Sequence, residues 1–153
     1  MDADSKTLRQ AEKYVDNLRL PLPRKPGAEL DWPDNLADLG ERELGSILTL
    51  LSGWLSYAVY HLAREETNLE NFTQGYDIKM KQHIYRSGND YATVTGVKAA
   101  VGQLPEMIDL QRKIQRAKAK VTVISSLVRG YESKYAAASR EISRRKSEGG
   151  THG

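Results

Sequence analysis

The chain has 153 residues, with 23 Lys/Arg against 20 Asp/Glu, 39% hydrophobic and 28% charged residues, and no cysteine. Disulfides, thiol catalysis and a cysteine metal site are thereby excluded, and the length fits one domain or one helical protomer. One Phe and two Trp give few large core anchors, although eight Tyr add amphipathic ones, a balance that suits long helices completing their burial by association.

The charge is split lengthwise. Residues 1–78 hold 8 Lys/Arg and 14 Asp/Glu, a balance of −6, and residues 79–153 hold 15 and 6, a balance of +9. A basic half joined to an acidic half points to a polyanion surface, with a solvated Lys-rich helix face as the alternative. The charged N-terminus has no apolar stretch of the signal-peptide kind, and no apolar run approaches the roughly 18 residues of a membrane helix. The expectation is a protein without a membrane association, in the cytoplasm (that of the host, if viral).

Residues 5 to 19 predict a short helix, with Leu8, Ala11, Val15 and Leu18 at helical spacing and Ser5 as N-cap. Pro21, Pro23 and Pro26 then impose an extended linker closed by Gly27. Trp32 reads as an anchor docking this arm on a helix, or as a stacking platform. The next segment alternates spacings of four and three through Leu44, Leu48, Leu51, Leu55, Ala58, Leu62, Glu65, Leu69, Phe72 and Tyr76. That is a heptad seam, and it predicts a helix from Glu41 to Tyr85 with a supercoiled partner. Ile47, Trp54 and Val59 widen the stripe, and Gly53 and Gly75 mark a kink or a close crossing.

A break follows at Tyr85–Tyr91, where Gly88 and Asn89 are turn formers. Thr95 is expected to cap a short helix ending at Gly102, and Pro105 suits the first turn of the next. The heptad signal then returns through Met107, Leu110, Ile114, Ala117, Val121, Ile124, Val128, Tyr131, Tyr135, Ala138 and Ile142. The fold expectation is all-α: long heptad-patterned helices forming an antiparallel hairpin or bundle that oligomerises, after a short N-terminal helix and a Pro-rich linker. Residues 1–39 form the arm and 40–148 the helical domain. The chain from Ser147 on reads as a flexible tail, with 149–153 outside the domain.

Enzyme chemistry has little to stand on. His61, His83 and His152 lack ligand spacing, there is no P-loop or dinucleotide fingerprint, and no cofactor or metal is implied. Glu65 is the one acid on a seam, either a buried specificity device or the ion-pair partner of a Lys on the facing helix. The cations say more. Lys79 and Lys81, followed by His83, Tyr85, Arg86 and Tyr91, interleave charge with aromatic rings beside a turn. Cations neutralise phosphates and Tyr rings stack bases, as a single-strand site requires; cations near a helix C-terminus are also favourable on their own. Arg112, Lys113, Arg116, Lys118 and Lys120 form a second cluster, and Arg140, Arg144, Arg145 and Lys146 a third. The candidate DNA-binding residues are Lys79, Lys81, Tyr85, Arg86, Tyr91, Arg112, Lys113 and Arg116.

Several motifs carry a resemblance: Ser52-Gly53-Trp54-Leu55 on the long helix, Lys79-Met80-Lys81 near its end, the turn Tyr85-Arg86-Ser87-Gly88, and Ser139-Arg140-Glu141-Ile142 in the terminal basic segment. In this order they resemble the UvsY recombination mediator family of tailed phages, over about residues 44–148. The family has Lys-x-Arg where this chain has Lys-x-Lys. The resemblance implies a non-enzymatic, ring-like homo-oligomer that binds single-stranded DNA through Lys79 and Lys81. It further implies strands covered by single-strand-binding protein, on which a RecA-like recombinase is helped to load. The alternative is a helical structural or interaction protein of a phage, such as an assembly component or an inhibitor of a host protein.

Overall fold

The computed structural model describes residues 3–20, 33, 35–87 and 93–149. Within them lie four α-helices, α1 (Ala3–Asn17), α2 (Glu41–Ser87), α3 (Val94–Gly102) and α4 (Pro105–Gly149), a 3-10 turn at Leu36–Asp38, and no strand. The fold is all-α, with a short first helix and two long heptad helices. Trp32, the prolines at 21, 23 and 26, and Gly88 to Tyr91 lie outside the described residues.

The helix ends follow local chemistry, not always at the expected residue. Helix α1 starts at Ala3, so Ser5 lies inside it and caps nothing. It stops in a Schellman arrangement: Leu20 N–H donates to the Val15 carbonyl at 3.4 Å and Arg19 N–H to that of Asp16 at 2.8 Å. Arg19 takes the left-handed conformation, φ 56°, that this stop demands. The cap of α3 is Thr93 rather than Thr95. Its extended backbone lets the hydroxyl accept the Gly96 N–H at 3.1 Å, which places Thr95 within the helix. Pro105 is the first residue of α4, where a missing N–H costs nothing. That helix runs on through Ser147 to Gly149, in place of the expected tail. At Gly53 and Gly75 α2 neither ends nor meets a neighbour, since a Cβ at either would find nothing within 4 Å.

The chain divides into two compact units, Met1–Tyr14 with Leu62–Val123, and Val15–His61 with Ile124–Gly153. In the first unit α2 and α4 pair antiparallel within one chain. Glu65 meets Lys120, Tyr76 meets Gln111 and Lys79 meets Glu106, the number falling along α4 as it rises along α2. Val97 and Val101, one turn apart on α3, bury against Met107, with Tyr76, Met80, Ile84, Leu104 and Leu110 packed around them. Each such burial contributes about 1.5–3 kcal/mol.

The second unit is again an antiparallel pair. Its buried residues include Leu44, Leu51 and Ala58 on α2, and Ile124, Tyr131 and Ala138 on α4, each set repeating every seven residues. The seam is not uniform, and Tyr135 on it is 40% exposed. Trp54 lies beside the seam and packs on Tyr131, with ring centroids 6.0 Å apart. Burial pushes the Tyr131 phenol up to about 12.

Candidate nucleic-acid interface

The two lysines singled out by the sequence lie in different surroundings. Lys79 follows Tyr76 on the seam side of α2 and is held by Glu106, Nζ to Oε2 at 2.5 Å. His83, one turn further, bonds the other oxygen of the same carboxylate. Hydrogen bonds from Lys79 and then His83 hold the Glu106 carboxyl below its usual range. Two residues on from Lys79 the helix has turned about 200°, so Lys81 is exposed and makes no ion pair among the described residues.

At the end of α2, Tyr85 is 88% exposed and Arg86 stands in the last turn, where the helix dipole alone favours a cation. Tyr91 lies outside the described residues. Of the α4 cluster, Lys113 pairs with Asp109 at 2.9 Å, whereas Arg112, Arg116 and Lys118 are exposed and without an ion pair among the described residues.

Glu65 resolves into the ion-pair reading. It is 4% exposed, accepts the Tyr14 hydroxyl at 2.9 Å and lies 3.5 Å from Lys120 Nζ. The same Nζ sits 4.0 Å from the centroid of the Tyr14 ring. One buried acid thus fixes α1 and α4 to α2 in the first unit, and Lys120 serves packing. Periodicity on α2 singles out Glu65, but nothing local points to Tyr14, which lies 51 residues away.

Half of the third cluster is structural, while Arg140 and Lys146 are exposed and make no ion pair among the described residues. Arg144 is bound to Glu141 and Glu148, and Arg145 to Glu141 at 2.7 Å. Arg145 also donates to the carbonyls of Leu39, Ala37 and Leu36 at 2.6, 2.9 and 3.2 Å, closing the 3-10 turn. Hydrogen bonds from Arg144 and Arg145 hold the Glu141 carboxyl down at about 2.

Folding also redistributes the charge. The antiparallel return lays basic α4 along α2, which carries 5 Lys/Arg against 6 Asp/Glu. The residues of the first unit carry 13 Lys/Arg against 10 Asp/Glu, and those of the second 10 against 10. The whole net charge of +3 therefore falls to the first unit, and the lengthwise split of −6 and +9 is not a split in space.

A groove of about 200 Å³ in the first unit is lined by Glu65, Asn68 and Phe72 on α2 and by Lys113, Arg116, Ala117 and Lys120 on α4. Asn68 and Phe72 are not among the sequence candidates. Their signal is the shared spacing, 65-68-72 facing 113-116-120, which marks one flank of each helix. Among the described residues no helix is long and apolar enough to cross a membrane, and no group of three or more His, Asp or Glu is placed to hold a metal. No family model, no curated protein and no solved structure matches the chain.

Proposed function

We propose that the protein is a single-stranded-DNA-binding recombination mediator that helps load a RecA-like recombinase on strands covered by single-strand-binding protein. The observation that carries its DNA-binding part is the concentration of unpaired cations in the first unit. Lys81, Arg86, Arg112, Arg116 and Lys118 are exposed and make no ion pair among the described residues, and the exposed Tyr85 ring stands beside Arg86. Such a surface attracts phosphates without reading sequence and offers a ring for stacking. The mediator role, the recombinase and the single-strand-binding protein come from the resemblance over residues 44–148. Lys79 belongs to this surface less than Lys81 does, because Glu106 competes for it.

Self-association belongs to the same reading. Leu50, Tyr57 and Tyr60 of the second unit are 44–59% exposed and share one face of α2, an apolar stripe suited to a second copy. A ring of protomers gains avidity on one strand even where each site is weak. The same side chains favour the second reading, a helical interaction protein without DNA affinity.

Anisotropy of a labelled oligo-dT across salt separates the two. The mediator reading expects binding that weakens steeply with salt and is reduced in Lys81→Ala/Arg86→Ala. No binding at low salt leaves the interaction protein ahead. A recombinase-loading assay on strands coated with single-strand-binding protein then tests the mediator step.

A further inference from the structure

We propose that the groove between Asn68 and Phe72 on α2 and Lys113 and Arg116 on α4 is a nucleotide subsite for single-stranded nucleic acid. The phosphate lies on Arg116 and Lys113, and the base lies against Phe72. The inference rests on the single-strand reading above and joins two of its candidates, Lys113 and Arg116, to Asn68 and Phe72, which the sequence candidates do not include.

The lining combines two chemistries that a polyanion with flat apolar groups needs together. Arg116 is exposed and has no acid among the described residues, so its guanidinium is available for a bidentate phosphate contact. Among the described residues Lys113 is engaged only by Asp109, in an exposed pair one turn away on its own helix, and such a pair yields readily to a phosphate. Phe72 is the sole Phe of the sequence and is half-buried in the groove wall. A base stacked on such a ring is held without regard to sequence. Asn68, one turn before it and half-buried, brings an amide that both donates and accepts at a base edge.

The acid in the groove does not oppose this. Glu65 is almost fully buried, with one oxygen taken by Tyr14 and the other facing Lys120. At about 200 Å³ the groove is below the ~300–1,000 Å³ of sites that enclose a small molecule. It suits one unit of a strand crossing the helix pair. An acidic peptide shares the charge but has no flat ring at each repeat, so Phe72 distinguishes the two.

The test uses the full chain, a labelled oligo-dT and a labelled polyglutamate peptide, with anisotropy read across salt and circular dichroism checking each variant's fold. Arg116→Gln is expected to lower the slope of log affinity against log salt by about 0.7, one phosphate contact on a single strand. Phe72→Leu keeps an apolar side chain and is expected to weaken oligo-dT about ten-fold while leaving polyglutamate unchanged. Phe72→Tyr should restore the affinity.

If the wild type binds oligo-dT and neither Arg116→Gln nor Phe72→Leu differs from it, the groove assignment fails and the broader reading stands. If Phe72→Leu weakens both probes alike, the ring does not hold a base and the subsite is overturned. If the wild type binds no oligo-dT at low salt, both fall together.

Discussion

Two sets of cations, one in each unit, are used in opposite ways. In the second, Arg144 and Arg145 are bound to Glu141 and Glu148, and Arg145 closes the 3-10 turn through three carbonyls. In the first, Lys81, Arg86, Arg112, Arg116 and Lys118 make no ion pair among the described residues, although Asp77 stands one turn before Lys81 and Asp109 before Arg112. By residue type alone the two sets look alike. What separates them is the pairs actually formed, with acids on both sides of Arg144 and backbone carbonyls within reach of Arg145. A basic cluster is therefore evidence for a polyanion only after its local partners have been subtracted.

The largest expected effect lies where the first unit departs from its own pattern. Glu65→Ala leaves the Tyr14 hydroxyl and Lys120 without their acceptor, and chemical denaturation should show a loss of about 2–3 kcal/mol, below the full cost of a wholly buried pair because Lys120 is partly exposed. Oligo-dT affinity should hold or rise, since a cation is released. A fall in affinity without unfolding would mean that Glu65 belongs to the binding surface.

Arg145→Ala is next. Losing charge-assisted bonds to Glu141 and three carbonyls should cost about 1–3 kcal/mol, with oligo-dT binding unchanged. Arg116→Gln should do the reverse, leaving the melting temperature within a degree or two and weakening binding. If Arg145→Ala weakens binding as much as Arg116→Gln, the contrast between the units dissolves.

Acid probes the same clamp. The folded Glu141 carboxyl titrates at about 2, below the ~4.3 of an unfolded Glu. A lowered pKa stabilises the folded state above the unfolded value, and that contribution fades as pH falls from ~4.3 towards 2. Urea midpoints over this range should fall more steeply in the wild type than in Glu141→Gln. Parallel curves would show that the clamp does not contribute.

The smallest effects test association. A Cβ at Gly53 or Gly130 meets nothing within 4 Å, so Gly53→Ala and Gly130→Ala should each raise stability by up to about 1 kcal/mol, the difference in helix propensity. A loss at either position, together with a drop in sedimentation coefficient, would place a second copy against that face.

What the sequence makes legible is whatever repeats. The heptads reveal both long helices and the acid that interrupts one of them, because a 3-4 alternation survives any change of partner. Helix ends are less legible. Thr93 and Thr95 are equally good caps by residue type, and only the extended backbone at Thr93 decides between them. The start of α1 at Ala3 is an ambiguity of the same kind, since by residue type Asp2 is as good a cap as Ser5.

Contacts distant in sequence are legible only where the pattern flags one partner, as the acid on the seam implies a Lys on the facing helix without saying that it is Lys120. Tyr14 on Glu65 and Arg145 on Leu39 span 51 and 106 residues. The Glu141–Arg144–Glu148 chain is different, because spacings of three and four on a helix bring opposite charges together by themselves. Acids on both sides therefore mark Arg144 more strongly than the single Asp77 marks Lys81, which makes no ion pair among the described residues. In the candidate interface, Lys81, Arg86, Arg112 and Arg116 are exposed as the surface reading needs, and Lys79 is shared with Glu106.

The packing of Trp54 on Tyr131 has an optical consequence. With Trp32→Phe, Trp54 is the single indole of the chain, and a tyrosine 6.0 Å away couples to its emission. Its fluorescence then follows the second unit alone, while Phe72 in the groove is silent at those wavelengths. A Phe72→Trp exchange in a background carrying both Trp32→Phe and Trp54→Phe would move the lamp to the other unit, so that melting of one and occupancy of the other are read from separate samples of the same colour.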